Sequence, residues 1–241
     1  MKKVLLFCLP LLAAFMAVSC EKALITADED DIDEPVTEVD GKRRVHFNVS
    51  PLVQTAFDNA SDNNAAGQGR TQKALSDVCS RLSLAVFNTD GEKVGTIKNQ
   101  LSTDNDFGLF SLSLADGTYT VVLLAHSGDA NFSGSSLSKL TANYKVTDTF
   151  YYCDDITIDA EADNDYTFEL RRCVAKVHLA FTEPLSKEVA KVQFVYKGGS
   201  STFDAATGHG SVNSTQNETR SVVNWQTPDF DIYTFPHDDE D

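Results

Sequence analysis

The stretch "SLSLADGTYTVVLLAH", Ser111 to His126, decides the fold. Phe110, Leu112 and Leu114 alternate with Ser111 and Ser113, Asp116-Gly117 follows, and a second apolar run begins beyond it. A period of two marks a strand with one buried face. Asp-Gly between two such runs reads as a hairpin, because glycine reaches the positive φ that tight primed turns require. "NTDGEKVG", Asn88 to Gly95, repeats the signal around Asp90-Gly91. Working outward, Val45, Phe47 and Val49 alternate with His46, Asn48 and Ser50, and Leu82, Leu84 and Val86 alternate with Ser83 and Ala85. "DITID", "YTFEL", "CVAKVHLAF", "KVQFVY", "RSVVNW" and "FDIYTF" add further strands. Helical periodicity is weak and confined to residues 72–79 and 135–143. The expectation is an all-β, locally antiparallel sandwich of half-buried strands, with the breaker-rich residues 59–72 as a surface loop.

In "CVAKVHLAF" the residues Cys173, Ala175, Val177, Leu179 and Phe181 share one face, opposite Val174, Lys176, His178 and Ala180, so the register predicts a dry face and a wet one. This strand follows the "DAEADND" turn and Arg171-Arg172, where the chain divides into residues 42–170 and 171–241. The second part is short for a sandwich, which usually takes roughly 100 residues.

The N-terminus has its own logic. Lys2 and Lys3 precede an apolar run from Val4 to Met16, interrupted by Pro10 and ended by Ala17-Val18-Ser19 before Cys20. A membrane span needs roughly 20 apolar residues, so residues 1–19 read as a secretory signal peptide. Cys20 sits where a bacterial lipobox places its cysteine, with Ala17 and Ser19 in place of the usual leucine and glycine or alanine. Lipid attachment there needs a thiol nucleophile, and two or more acyl chains, at about 0.8 kcal/mol per buried methylene, hold a protein stably on a membrane. Residues 20–41 carry Asp28, Glu29, Asp30, Asp31, Asp33, Glu34, Glu38 and Asp40 and read as a solvated, self-repelling tether.

The formal charge is −16, and −18 once Lys2 and Lys3 are removed. Nucleic acid is excluded as a partner, since Lys42-Arg43-Arg44 is a lone basic cluster on an acidic chain. The histidines at 46, 126, 178, 209 and 237 show no metal spacing, and His126 reads as a strand terminus. Asp159, Glu161, Asp163 and Asp165 read as a strand end and turn. With no nucleophile elbow or paired-carboxylate motif, the chain reads as non-enzymatic, with no cofactor or metal. Glycan binding is the alternative, resting on Trp225, Tyr151 and Tyr152 if their faces align on one exposed surface. With Cys20 lipidated, Cys79, Cys153 and Cys173 allow at most one internal disulfide. Cys173 reads as a buried free thiol, and any bridge would join Cys79 to Cys153.

The lipobox Cys20, the acidic leader, "RVHFNV", "DGTYTVVLLAH" and above all "YTFELRRCVAKVHLAF" resemble the FimB-type fimbrillin anchor proteins of type V pili over roughly residues 42–200. The resemblance implies tandem transthyretin-like antiparallel β-sandwich domains, the second reduced or truncated. It also implies a surface-exposed outer-membrane lipoprotein, palmitate on Cys20, that anchors or helps assemble fimbriae with fimbrillin subunits as partners. The implied mechanism is strand addition, in which an extended partner segment joins an open sheet edge. A stalk or tip subunit is the related alternative; in stalk fimbrillins an arginine-specific protease removes an N-terminal strand, which makes Arg44 the candidate protease site.

Overall fold

The computed structural model describes residues 41–54 and 71–237. In chain order, β1 (Lys42–Val49), β2 (Leu52–Gln54) and β3 (Thr71–Lys73) lead into a single helical turn, α1 (Leu75–Val78). There follow β4 (Arg81–Asn88), β5 (Lys98–Leu101), β6 (Leu109–Ala115), β7 (Gly117–His126), β8 (Phe132–Ser136), β9 (Lys139–Ala142), β10 (Phe150–Ile158) and β11 (Asp165–Phe168). The remainder comprises β12 (Arg171–Arg172), β13 (Ala175–Ala180), β14 (Lys191–Gly199), β15 (Thr202–Asp204), β16 (His209–Gly210), β17 (Ser214–Ser221) and β18 (Asp229–Thr234). Apart from the parallel β1–β11 pair, the described pairings are antiparallel. The all-β sandwich expected from periodicity is the fold observed. Of the two weak helical windows, 72–79 contains α1, whereas 135–143 forms the β8–β9 pair.

A five-stranded sheet, β12-β10-β7-β4-β5, lies at the centre. One face packs on the three-stranded sheet β11-β1-β6 through Val45, Phe47, Phe110, Leu114, Leu82, Leu84, Val121, Leu123 and Phe150. Its opposite face packs on the sheet β16-β15-β9-β8 through Ala85, Phe87, Val122, Leu124, Tyr151, Leu140, Phe203 and Phe235. This corrects the half-buried reading of β4. Ser83 and Ala85 are as buried as the leucines between them, because the strand has a core on each side. A sheet covered on both faces tolerates no polar stripe, and small residues fill the second side. Strand β1 does keep the predicted alternation, with Val45, Phe47 and Val49 buried and His46 and Asn48 exposed.

The two Asp-Gly signals resolve differently. At Asp90-Gly91 a true hairpin forms: Asn88 Oδ1 accepts the amides of Asp90 and Glu92 at 3.1 and 2.8 Å, Gly91 sits at φ 74°, and β4 pairs with β5. At Asp116-Gly117 no hairpin forms. Strand β6 pairs with β1, whereas β7 pairs with β4 and β10, so the dipeptide is a corner at which the chain crosses between sheets. Arg43 Nε donates to Asp116 Oδ1 at 2.6 Å and Tyr119 Oη donates to the Ala115 carbonyl at 3.1 Å, pinning the corner. Alternation on both sides of a turn is equally compatible with pairing in one sheet and with facing across a sandwich.

The loop at residues 59–72 lies mostly outside the described residues, with Thr71 and Gln72 in β3. Residues before and after position 170 meet in the second core, and β9 pairs with β15 across that position.

Candidate functional site

Cys20 and the acidic leader lie outside the described residues. Arg44 is exposed but lies inside β1, opposite Ser113 of β6, and its neighbour Arg43 is engaged by Asp116. The dibasic pair is therefore part of a strand ladder rather than an extended loop, and a protease would have to lift the start of β1 to reach it.

The aromatic residues considered for glycan binding do not share a surface. Tyr151 and Tyr152 are consecutive in β10 and point to opposite faces. Tyr151 is buried edge-to-face on Phe203 at 5.0 Å, while Tyr152 packs on Phe168 at 4.5 Å. Trp225 is half-buried and donates its indole N–H to the Val189 carbonyl at 2.9 Å. These rings hold the fold and form no platform.

The sulfur atoms are likewise separated. Cys79, Cys153 and Cys173 are free thiols. Cys79 lies in the first core and Cys153 packs on the second, so the central sheet stands between them and the Cys79–Cys153 bridge is ruled out. Burial pushes the Cys79 thiol up to about 12 and that of Cys153 up to about 11, while Cys173, fully enclosed, is raised well above the usual range. Each is protonated and poorly nucleophilic at neutral pH. In the acidic turn, Asp159 Oδ1 accepts the amides of Glu161 and Ala162 at 2.8 and 2.7 Å, which is turn chemistry. Among the described residues no group of three His, Cys, Asp or Glu is arranged to hold a metal ion.

His126 ends β7, as its sequence suggested, yet it is completely buried. Its ring stacks on Tyr144 at 4.4 Å, meets Phe132 edge-on at 5.2 Å, and its Nδ1 accepts the Gly128 amide at 3.1 Å. A Cβ on Gly128 would come within 2.0 Å of the Tyr144 ring, so this position requires glycine. Nearby, Arg81 clamps the same loop through the carbonyls of Gly128 and Asp129 and the Asn131 side chain. Burial first, and then the Arg81 charge, lower the His126 pKa to about 4. The unfolded chain binds the proton near pH 6.5 and the folded one only near 4. Stability contributed by neutral His126 is thus complete above pH 6.5 and lost as pH falls toward 4, by about 3 kcal/mol. Urea unfolding across pH 7.5 to 4 should show this slope, and His126→Phe should flatten it.

The part of the chain beyond Cys173 holds an arrangement that periodicity alone did not disclose. β13 pairs only with β18, and β14 only with β17, giving two two-stranded ribbons among the described residues. Phe194 of β14 packs on Phe230 of β18 at 5.4 Å, and within the β13–β18 ribbon Phe181, just beyond β13, meets Phe230 at 6.2 Å. The face of β13 predicted to be dry is largely wet: Val177 is 63% and Leu179 40% exposed, while Cys173 at its head is buried. By contrast, Lys176 and His178 of the opposite face are held by Asp231, at 3.7 and 2.7 Å. The register was right, but among the described residues no third strand covers it. Beside this face runs a cleft of about 490 Å³ lined by Val177, Ile232, Thr234 and the consecutive residues Gln193–Gly199. Residues of both parities of β14 line the cleft, so it follows the strand's edge, one that no other described strand pairs.

An all-β sandwich with uncovered sheet edges is an architecture suited to association through its strands. The family described as fimbrillin-A associated anchor proteins Mfa1 and Mfa2 matches residues 44–241, and the chain belongs to that family. A comparison with curated proteins finds no match. Among solved structures, a candidate adhesin from Bacteroides ovatus shares 11% identity over 88% of this chain and 73% of its own, with a TM-score of 0.51, a likeness of fold. A second candidate adhesin, from Bacteroides ovatus ATCC 8483, shares 17% identity over 90% of this chain and 74% of its own at a TM-score of 0.49. The fimbrial anchor protein Mfa2 from Porphyromonas gingivalis shares 12% identity over 82% of this chain and 74% of its own at 0.42.

Proposed function

We propose that the chain is a non-enzymatic lipoprotein of the outer-membrane surface, held by lipid on Cys20, that anchors or helps assemble a fimbria by accepting a strand from a fimbrial subunit. The observation that carries the reading is the pair of two-stranded ribbons with the apolar face of β13 left open. Two-stranded ribbons are marginal in water, and a third strand with a covered face is what makes such a unit stable. Family membership supports the same role. Residues 42–170 and 171–241 are proposed as its two sandwich parts.

Arg44 separates this role from that of a stalk subunit. β1 is the middle strand of its sheet, between β11 and β6, and it buries Val45, Phe47 and Val49 beyond the dibasic pair. Cleavage after Arg44 would leave those residues in place and open no groove there. The mature protein is therefore expected to keep residues 20–44. N-terminal sequencing of the protein from outer membranes and from purified fimbriae checks this: a start at Cys20 supports the anchor, and a start at Val45 in fimbriae would replace it with a stalk subunit.

A further inference from the structure

We infer that the strand acceptor is the free edge of β14, and that it takes an extended partner strand with aliphatic side chains on one face and carboxylates on the other. This deepens the anchoring proposal and rests on it. The cleft follows Gln193–Gly199, so a strand laid in it meets the unpaired backbone groups of β14 while its inward side chains cover Val177 and Ile232, which are cross-strand partners. Phe194 and Tyr196 face inward and are half-buried; Lys191, Gln193, Val195 and Lys197 face outward and are exposed, Val195 by 62%. Inward positions of the guest therefore meet hydrocarbon, which selects valine, isoleucine or leucine.

The outward face sets the charge. Lys197 is the one charged residue lining the cleft, and Lys191 lies six residues earlier on the same face of β14, on a chain whose formal charge is −16. Carboxylates opposite these lysines form favourable cross-strand pairs. The same two lysines disfavour a second copy of this chain. Antiparallel pairing of two β14 edges centred on Phe194 would set Lys191 opposite Lys197 twice, and like charges directly opposite are destabilising. Edge lysines of this kind keep an open strand from joining its own copies. The edge is thus closed to self and open to an acidic, alternately aliphatic strand.

The test uses the full secreted chain carrying Cys20→Ala, with a nine-residue fluorescent peptide alternating valine with aspartate, a version with lysine for aspartate, and a scrambled control. Fluorescence anisotropy should show the acidic peptide binding roughly tenfold tighter than the lysine version, and the double variant Lys191→Glu/Lys197→Glu should reverse that order. Hydrogen exchange should slow at Gln193–Lys197, and Val177→Asp should weaken binding. Equal affinity for both peptides would overturn the carboxylate requirement. Protection at the β5 or β6 edge instead would overturn the assignment to β14 while leaving strand addition standing. No protection by any extended peptide or by fimbrial subunits would remove both. Self-association lost in the double variant would assign the edge to a second copy, and binding seen only after deletion of residues 20–41 would assign it to this chain's own leader; either result overturns the partner strand.

Discussion

Cys20→Ala is expected to release the protein from the outer membrane almost completely while leaving its fold unchanged. The proposed lipid rests on a single sulfur atom, and among the described residues no helix is long and apolar enough to cross a membrane. Nor would electrostatics hold the protein in place, since a chain of formal charge −16 is repelled by anionic headgroups. Two acyl chains contribute tens of buried methylenes at about 0.8 kcal/mol each, so their loss outweighs any contact the folded part makes with lipid. The described strands begin at Lys42 and do not depend on Cys20. Fractionation should find the variant in the periplasm or medium, with fimbriae shed or altered in length. Protein that still sediments with outer membrane would refute the lipid anchor. Released protein with fimbriae still normal and cell-attached would refute the anchoring role.

The second large effect concerns the interior. Phe203→Ala should destabilise the protein by about 3–5 kcal/mol, the usual cost of emptying a buried phenylalanine site, and lower the melting temperature by roughly 10 °C. Phe203 is fully buried between Tyr151, at 5.0 Å, and Phe235, at 4.9 Å. Its core is shared with Ala85, Phe87, Val122 and Leu124 of the central sheet. The loss should therefore be felt on both sides of residue 170. Circular dichroism and the fluorescence of Trp225 should shift together, and amides of β7 should exchange faster. A shift confined to Trp225, with β7 unchanged, would show that residues 42–170 and 171–241 unfold independently.

How much of this could be read in the chain follows from what each pattern encodes. Val45, Phe47 and Val49 announced their strand and its dry face because one side meets a core and the other meets water. Ser83 and Ala85 misled because a small residue reads as polar or neutral whether it faces solvent or a second sheet. Strand β17, "STQNETRS", was invisible: it contains no aliphatic residue, and its half-buried positions are Ser214, Gln216, Glu218 and Arg220. The expected "RSVVNW" strand overlaps it only at Arg220 and Ser221, with Val223 fully outside. Asp116-Gly117 marked a change of direction correctly, but local chemistry says nothing about which sheet the next strand joins. The acceptor cleft was half legible. Val177 and Leu179 were placed on the correct face, and the uncovered state of that face depends on which strands are present around it, which no local period records.

The position of β1 also governs how the protein bears a pull. Under the proposed anchoring, load from the leader would enter the fold at Lys42, along a strand paired with β6 from Lys42 and with β11 from His46 onward. Tension in that direction shears the ladders to β6 and β11, so many backbone bonds must yield at once instead of unzipping in turn. Arg43, clasped by Asp116 at the corner, lies at the point where the strain arrives first. A chain fastened as proposed would resist drag best when tugged by its leader, the direction in which an anchored fimbria in flowing liquid would pull against the cell.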